Sequence, residues 1–474
     1  MKIAGYVHPG FISPGPLWNY GWLNIAELLQ TLRRDAGCDC TLIASSRFLR
    51  EAQRDGTTGR LRDLRVVEID EGTLFKQTSA LGLTPKRFDE LVCAEESVDH
   101  PALRMLAETI AHKFGSPGPD VLLSFATPTD FLAGTWPCTF RLHMESLLSR
   151  NPFTANVFFD HLGMYRRSII GRAGERLRSY VPNDAGRALF AAFRAHVDAA
   201  LETIDPFRSM DIRCGFDRVC LLPLQVSNWY GFDAQADYRT QFEYLFDVLS
   251  AAPLEVGVIV TEHMHCGHVL KESGFGHNLD YLRASFPNMI FVEQARSFST
   301  SSQFLVRRVD GVWSVSSGVA FQALLFGRML GSPPTAYVAG VAHATDFASF
   351  FADLDRASPE SRDGFMTWQL ERYMVPCSLL ASGRWLRDYF LRRMEAARTA
   401  QDPMDAFVPI ADAEKLMDAW VARAPRPVAL PFRSPDAVEV LRAELSALRR
   451  SKSMRVTAPL RAVERLIGRA RRSS

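Results

Sequence analysis

Between Arg218 and Gly327, polar residues able to do chemistry stand where short apolar runs end. The runs are RVCLLPLQ (218–225), EVGVIVTEH (255–263), NMIFVEQ (288–294) and VWSVSS (312–317). They deliver Gln225, Glu262, His263, Ser316 and Ser317, and the loop after the first run carries Asp233 among aromatic residues. A second carboxylate, Glu145, closes the run TFRLHMES (139–146). Two carboxylates on either side of a cleft can divide acid, base and nucleophile roles between them. Ser316 and Ser317 precede the apolar segment GVAFQALLFG, so they can cap a helix or present hydroxyls and amides to an anion. His263, or His265 beside it, can serve the same anion. His263, His265 and His268 lie within six residues with a cysteine, yet no His-Glu-x-x-His spacing accompanies them and no metal site is expected. Asp353-Leu-Asp355 is the only Asp-x-Asp match and falls in a helical pattern.

The elements that would position these groups alternate. The four runs are separated by segments with helical spacing, which predicts a parallel sheet with crossover helices. In such sheets ligands bind beyond the carboxyl ends of the strands. Residues 1–164 predict an earlier α/β domain, with strands at MKIAGYVH, CTLIAS, LRVVEID, PDVLLSFA and TFRLHMES and a helix ending near Gly37. The stretch from Leu147 to Ser168 reads as irregular. Residues 165–205 form a helical connector and 206–350 the second α/β domain, with TAYVAG (335–340) as its next strand. Residues 351–430 hold helices, interrupted near Pro376, that pack back on the domains before a Pro-rich linker.

Length and composition agree with this layout. The chain has 474 residues, 47% of them hydrophobic and 23% charged, which suits a globular protein of more than one core. A net charge of +2 gives no field for nucleic-acid binding. Eight scattered cysteines, with only Cys38-Asp39-Cys40 close together, form neither a zinc ribbon nor a disulfide framework, which suits reduced thiols in the cytoplasm. No secretory leader or membrane span is predicted. The tail, 431–474, differs. From Arg449 to Arg472 it holds nine Lys/Arg and one acid, Glu464, with Leu460, Val463 and Ile467 along one face of a possible helix. Such a helix suits an anionic membrane surface.

Several segments resemble the bacterial capsule and O-antigen polysaccharide family that includes the retaining β-Kdo (3-deoxy-D-manno-octulosonic acid) glycosyltransferases. They are LLPLQVSNWYGFDAQADYRTQFEYLFDVL, VIVTEHM, SVSSGVAFQALLFGRML, LHMESLLSRNPFTANVFFDHLG and the tail SKSMRVTAPLRAVERLIGR. The resemblance implies a GT-B fold: two Rossmann-like domains with an interdomain cleft, here followed by the helical basic tail. It implies a CMP-Kdo donor, a polysaccharide or glycolipid acceptor and no cofactor. Asp233 would be the nucleophile, with Asp160 and Asp237 as rivals for that role, Glu145 the acid/base, and His263, Ser316 and Ser317, with Glu262, Gln225 and His265, the donor-binding set. Family members often have Pro after the His, where this chain has Met264. The expected location is the cytoplasm, on the inner face of its membrane.

Overall fold

A computed structural model describes residues 1–8, 18–54, 61, 63–94, 99–145, 147–148, 153–225, 230–238, 240–262, 278–292, 301–354 and 361–421. His263, His265, His268, the linker and the basic tail lie outside the described residues.

Twelve strands form two sheets among the described residues. In chain order the strands of the first are β1 (Lys2–Tyr6), β2 (Asp39–Ser45), β3 (Arg65–Ile69), β4 (Val121–Phe125), β5 (Phe140–Glu145) and β6 (Asn156–Asp160). The second holds β7 (Arg218–Pro223), β8 (Val256–Thr261), β9 (Met289–Phe291), β10 (Gly311–Trp313) and β11 (Met329–Gly331). The last strand, β12 (Met374–Pro376), returns to the first sheet. Most of these strands are short unbroken apolar runs buried along nearly their whole length, as strands covered by helices on both faces must be.

The first sheet is ordered β12-β6-β5-β4-β1-β2-β3 and the second β11-β10-β7-β8-β9. Around their opening strands both have the doubly wound order 3-2-1-4-5, with parallel pairing throughout that part. The chain thus has the paired α/β architecture of the GT-B class. Each sheet has a point where the strand order reverses, between β1 and β4 and between β7 and β10.

Three elements differ from the sequence reading. The stretch read as irregular contains β6, which lies antiparallel between β5 and β12. The interruption near Pro376 is β12 itself; its partner lies more than 200 residues away, and a proline is tolerated because this strand is the sheet edge. TAYVAG is not a strand. The helix Val319–Leu325 ends at Gly327, whose φ of 63° suits glycine, so the chain reverses early and β11 forms at Met329–Gly331. Residues 335–340 then make turns, ending in the short 3-10 helix Ala339–Val341.

The helix Gly383–Thr399 lies on the helix Trp18–Ala36. The Gly383 amide donates to Asp35 Oδ2 at 3.1 Å, and a β-carbon at Gly383 would stand 2.2 Å from the Thr31 carbonyl oxygen. From the same helix Arg393, fully buried, lies with its guanidinium 4.0 Å above the Phe407 ring and donates to the Phe159 carbonyl at 3.3 Å. Beside Tyr337, the helix Ile169–Arg178 touches the 339–341 turn. Gly174 and Gly340 meet backbone to backbone there, and a β-carbon on either would come within about 3.0 Å of the other's Cα.

Candidate functional site

The site begins at the reversal point of the second sheet. β7 carries the chain to Gln225 and β10 carries it to Ser316. Gln225 Nε2 donates to Ser316 Oγ at 3.0 Å, and the Ser316 amide donates to Gln225 Oε1 at 3.2 Å. The Gln225 amide is held in turn by Gln241 Oε1 at 2.8 Å. Ser317 Oγ accepts from the Val319 amide at 3.3 Å, so the helix begins after Gly318 and not at Ser317. Gln225, Ser316 and Ser317 are all half-buried. Two residues singled out separately in the sequence are therefore joined across β7 and β10. Glu262 follows β8 and is half-buried.

Gly318 brings the first sheet to this point. A β-carbon there would stand 2.5 Å from the Leu147 carbonyl oxygen, two residues beyond Glu145. Only glycine lets the chain after β5 pass so close. Glu145 is half-buried at the end of β5, and Tyr165 Oη donates to its Oε2 at 3.3 Å. Loss of water raises the carboxyl to about 7, against the Tyr165 hydrogen bond, which favours the charged form. Tyr337, from the second half, packs edge-on against Tyr165, with ring centroids 5.5 Å apart. The nearby carboxylate raises the Tyr337 hydroxyl further, after burial.

Asp233 ends the short helix Tyr230–Asp233. It remains exposed to solvent, yet the protein around its carboxyl raises it to about 6; desolvation comes first, Lys86 opposes it, and Glu90 adds to it. Lys86 and Glu90 sit on the helix Pro85–Val92 of the first half, which Thr84 caps through the Arg87 amide at 3.2 Å. Arg166 donates to the Ala234 carbonyl at 2.9 Å and ties the same loop to the first half. Two residues on, the fully buried Gln235 accepts from the Tyr337 amide at 2.9 Å.

Asp160, one rival nucleophile, is fully buried. It accepts from the Leu162 and Ile169 amides, each at 2.8 Å, and from Tyr373 Oη at 3.1 Å. Those donors make it an anchor between β6, the following helix and Tyr373. Asp237, the other, is exposed and lines a surface groove of about 570 Å³ with Tyr238, Phe242, Glu243, Phe246 and Asp247. Asp353 ends the helix Phe347–Asp353, and Asp355 lies outside the described residues. Tyr165, Tyr337, Gln235 and Lys86 were not found from the sequence. Only Gln235, two residues after Asp233, had a sequence signal in its proximity to a nominated carboxylate; Tyr165, Tyr337 and Lys86 had none.

No family model and no curated protein matches the chain. Among solved structures it is similar to the β-Kdo 2,7-transferase KpsC of Thermosulfurimonas dismutans, at 15% identity over 57% of this chain and 82% of that one, with a TM-score of 0.36. It is also similar to the UDP-GlcNAc 2-epimerase of Neisseria meningitidis bound to UDP-GlcNAc, at 12% identity over 83% of this chain and all (100%) of that one, with a TM-score of 0.35. Neither likeness assigns a reaction to this chain.

Proposed function

We propose that the chain is a glycosyltransferase that moves a 2-keto sugar acid, Kdo, from CMP-Kdo to a polysaccharide or glycolipid acceptor with retention. The observation that carries this reading is the Leu147–Gly318 contact, which brings the chain just after Glu145 to the strand-order reversal whose first strand, β7, leads into the Asp233 loop.

In the first half-reaction an oxygen of the Asp233 carboxylate attacks the anomeric carbon. The bond from that carbon to the phosphate oxygen breaks, and its electrons leave with CMP. The hydroxyls of Ser316 and Ser317, with Gln225 holding Ser316, stabilise the departing phosphate. Glu262, His263 and His265 are assigned to the donor by the resemblance alone. Lys86, whose charge reaches Asp233, gives the sugar's carboxylate a cation. In the second half-reaction the acceptor oxygen attacks the same carbon, the bond to Asp233 breaks, and Glu145 takes the acceptor's proton. A carboxyl near 7 suits that step, because it is basic enough to take the proton and is ionised in a good fraction of molecules at neutral pH. The basic tail would hold the enzyme at an anionic membrane surface on the cytoplasmic side. Among the described residues no helix is long and apolar enough to cross a membrane.

The test is intact-protein mass spectrometry with CMP-Kdo generated in situ, on wild type and Asp233→Ala. A gain of one Kdo on wild type alone supports both mechanism and nucleophile. A gain on both proteins moves the nucleophile to another carboxylate. No gain and no donor consumption removes the CMP-Kdo reading. Thermal protection by CMP against UDP then tells whether another nucleotide is held.

A further inference from the structure

Glu145 and Asp233 lie on different halves of the chain, yet one run of contacts joins their surroundings. Gln235, two residues after Asp233, is fully buried and takes the Tyr337 amide at 2.9 Å, while its own carbonyl accepts from Thr335 Oγ1 at 2.9 Å. Those two bonds fix the turn that carries Tyr337. The Tyr337 ring stands at 80° to Tyr165, 5.5 Å between centroids, and Tyr165 donates to Glu145.

Tyr165 is itself held in an unusual backbone. Its φ is 50°, in the left-handed region that a bulky side chain occupies only when its surroundings impose it. The surroundings do so. Ser168 Oγ donates to the Tyr165 carbonyl, and Gly171 passes so near that a β-carbon would stand 2.6 Å from that same oxygen. Three residues after Tyr337, Gly340 meets Gly174 so closely that neither position has room for a β-carbon. A tyrosine needed only to fill space would not require a strained backbone, a glycine cradle and a partner ring from the other half.

We infer that Gln235, Tyr337 and Tyr165 are positioning residues that couple the Asp233 loop to Glu145, so that the place of that loop sets the hydration and protonation of the acid/base. The inference rests on the proposed roles of Asp233 and Glu145, but the coupling is a property of the fold and can be read without any reaction. The titratable groups facing Glu145 among the described residues are Tyr165 and Tyr337. They act with opposite signs. The Tyr165 hydroxyl stabilises the carboxylate, so its removal raises the Glu145 midpoint. The Tyr337 ring keeps water out, so its truncation, or loss of the Gln235 side chain that seats it, lowers the midpoint.

The experiment is carbon-13 NMR of the full chain labelled at glutamate carboxyls, with Glu145→Gln to assign the resonance. In wild type this carboxyl should titrate near 7, because burial raises it. Tyr165→Phe moves the midpoint up, and Tyr337→Ala and Gln235→Ala move it down, each by about half a unit or more. Tyr337→Phe, which keeps the ring, leaves it at the wild-type value and controls for general loosening. A Glu145 resonance that titrates alike in wild type, Tyr165→Phe, Tyr337→Ala and Gln235→Ala overturns the coupling, as does one at the ordinary glutamate value in wild type. If the midpoints move as stated while the pH profile of sugar transfer does not follow them, the coupling stands and the acid/base role of Glu145 falls.

Discussion

The two strand-order reversals occupy equivalent places in equivalent sheets and are furnished in opposite ways. In the first sheet β1 ends in a closed triad. Tyr6 Oη lies 2.9 Å from His8 Nδ1, and His8 Nε2 lies 2.9 Å from Asp89 Oδ1. All three residues are buried, Phe88 stacks on the imidazole, and both ring nitrogens are engaged. In the second sheet the same place holds Gln225, Ser316 and Ser317, all half-buried. A hydroxyl and an amide that bind each other at a surface can exchange that partner for a ligand at little cost, whereas a buried imidazole between two partners cannot. Topology therefore offers two addresses: side chains close the first, and the second, where the proposed donor would bind, stays half-buried.

The largest effect that would break this contrast is on Glu145. Glu145→Gln keeps the shape and removes the proposed base, so turnover should fall about 10²- to 10⁴-fold. The donor half-reaction, read as covalent adduct, should survive; loss of adduct as well would show that Glu145 holds the donor. A crossed pair of variants comes next. Gln225→Ala frees Ser316 and should weaken CMP about tenfold, with little loss of stability. His8→Ala should leave CMP affinity unchanged and lower stability by about 1–3 kcal/mol, because Asp89 loses a buried partner. Isothermal titration and urea unfolding on both proteins decide it. Equal effects on affinity would mean that the two addresses do not differ as described.

How much of this was legible in sequence follows from the range of the interactions. β7, β8, β9 and β10 could be read because each is a local apolar run bounded by polar residues, and the places of Gln225 and Ser316 just beyond β7 and β10 could be read because strand ends are local too. β6 and β12 could not, since a three-residue strand such as Met374–Pro376 exists only through pairing with Asn156–Phe158. TAYVAG has good strand residues, and yet the reversal at Gly327 spent the sheet position on Met329–Gly331. Glu145 and Asp233 could be nominated as carboxylates at run ends or in aromatic loops. Tyr165 and Tyr337 could not, because their meaning lies in a ring contact between residues 172 positions apart.

A next, smaller effect concerns pH. On the proposed mechanism the two carboxylates should separate kinetically, because the covalent half would need only Asp233 ionised and the full cycle Glu145 as well. Adduct formation should therefore rise with pH through about 6, and acceptor-dependent turnover through about 7. Stopped-flow release of CMP, with and without acceptor, measures both; a single shared midpoint would merge the two roles.

The smallest effect lies in stability. Glu145 holds its proton up to about 7 in the folded chain, above its ordinary value of 4.5, so between those values the folded state binds more protons than the unfolded one. By linkage the contribution is full below about 4.5 and is lost as pH rises through about 7. The slope from one such group cannot exceed about 1.4 kcal/mol per pH unit, and partial exposure of the site makes it smaller. Glu145→Gln removes this term. Its stability relative to wild type should therefore be lower at pH 5 than at pH 8, by a fraction of that limit per unit, in urea unfolding at matched ionic strength. If the stability of Glu145→Gln relative to wild type is the same at pH 5 and pH 8, Glu145 is not dehydrated in the way its surroundings imply, and the contrast between a filled and an open address loses its electrostatic half.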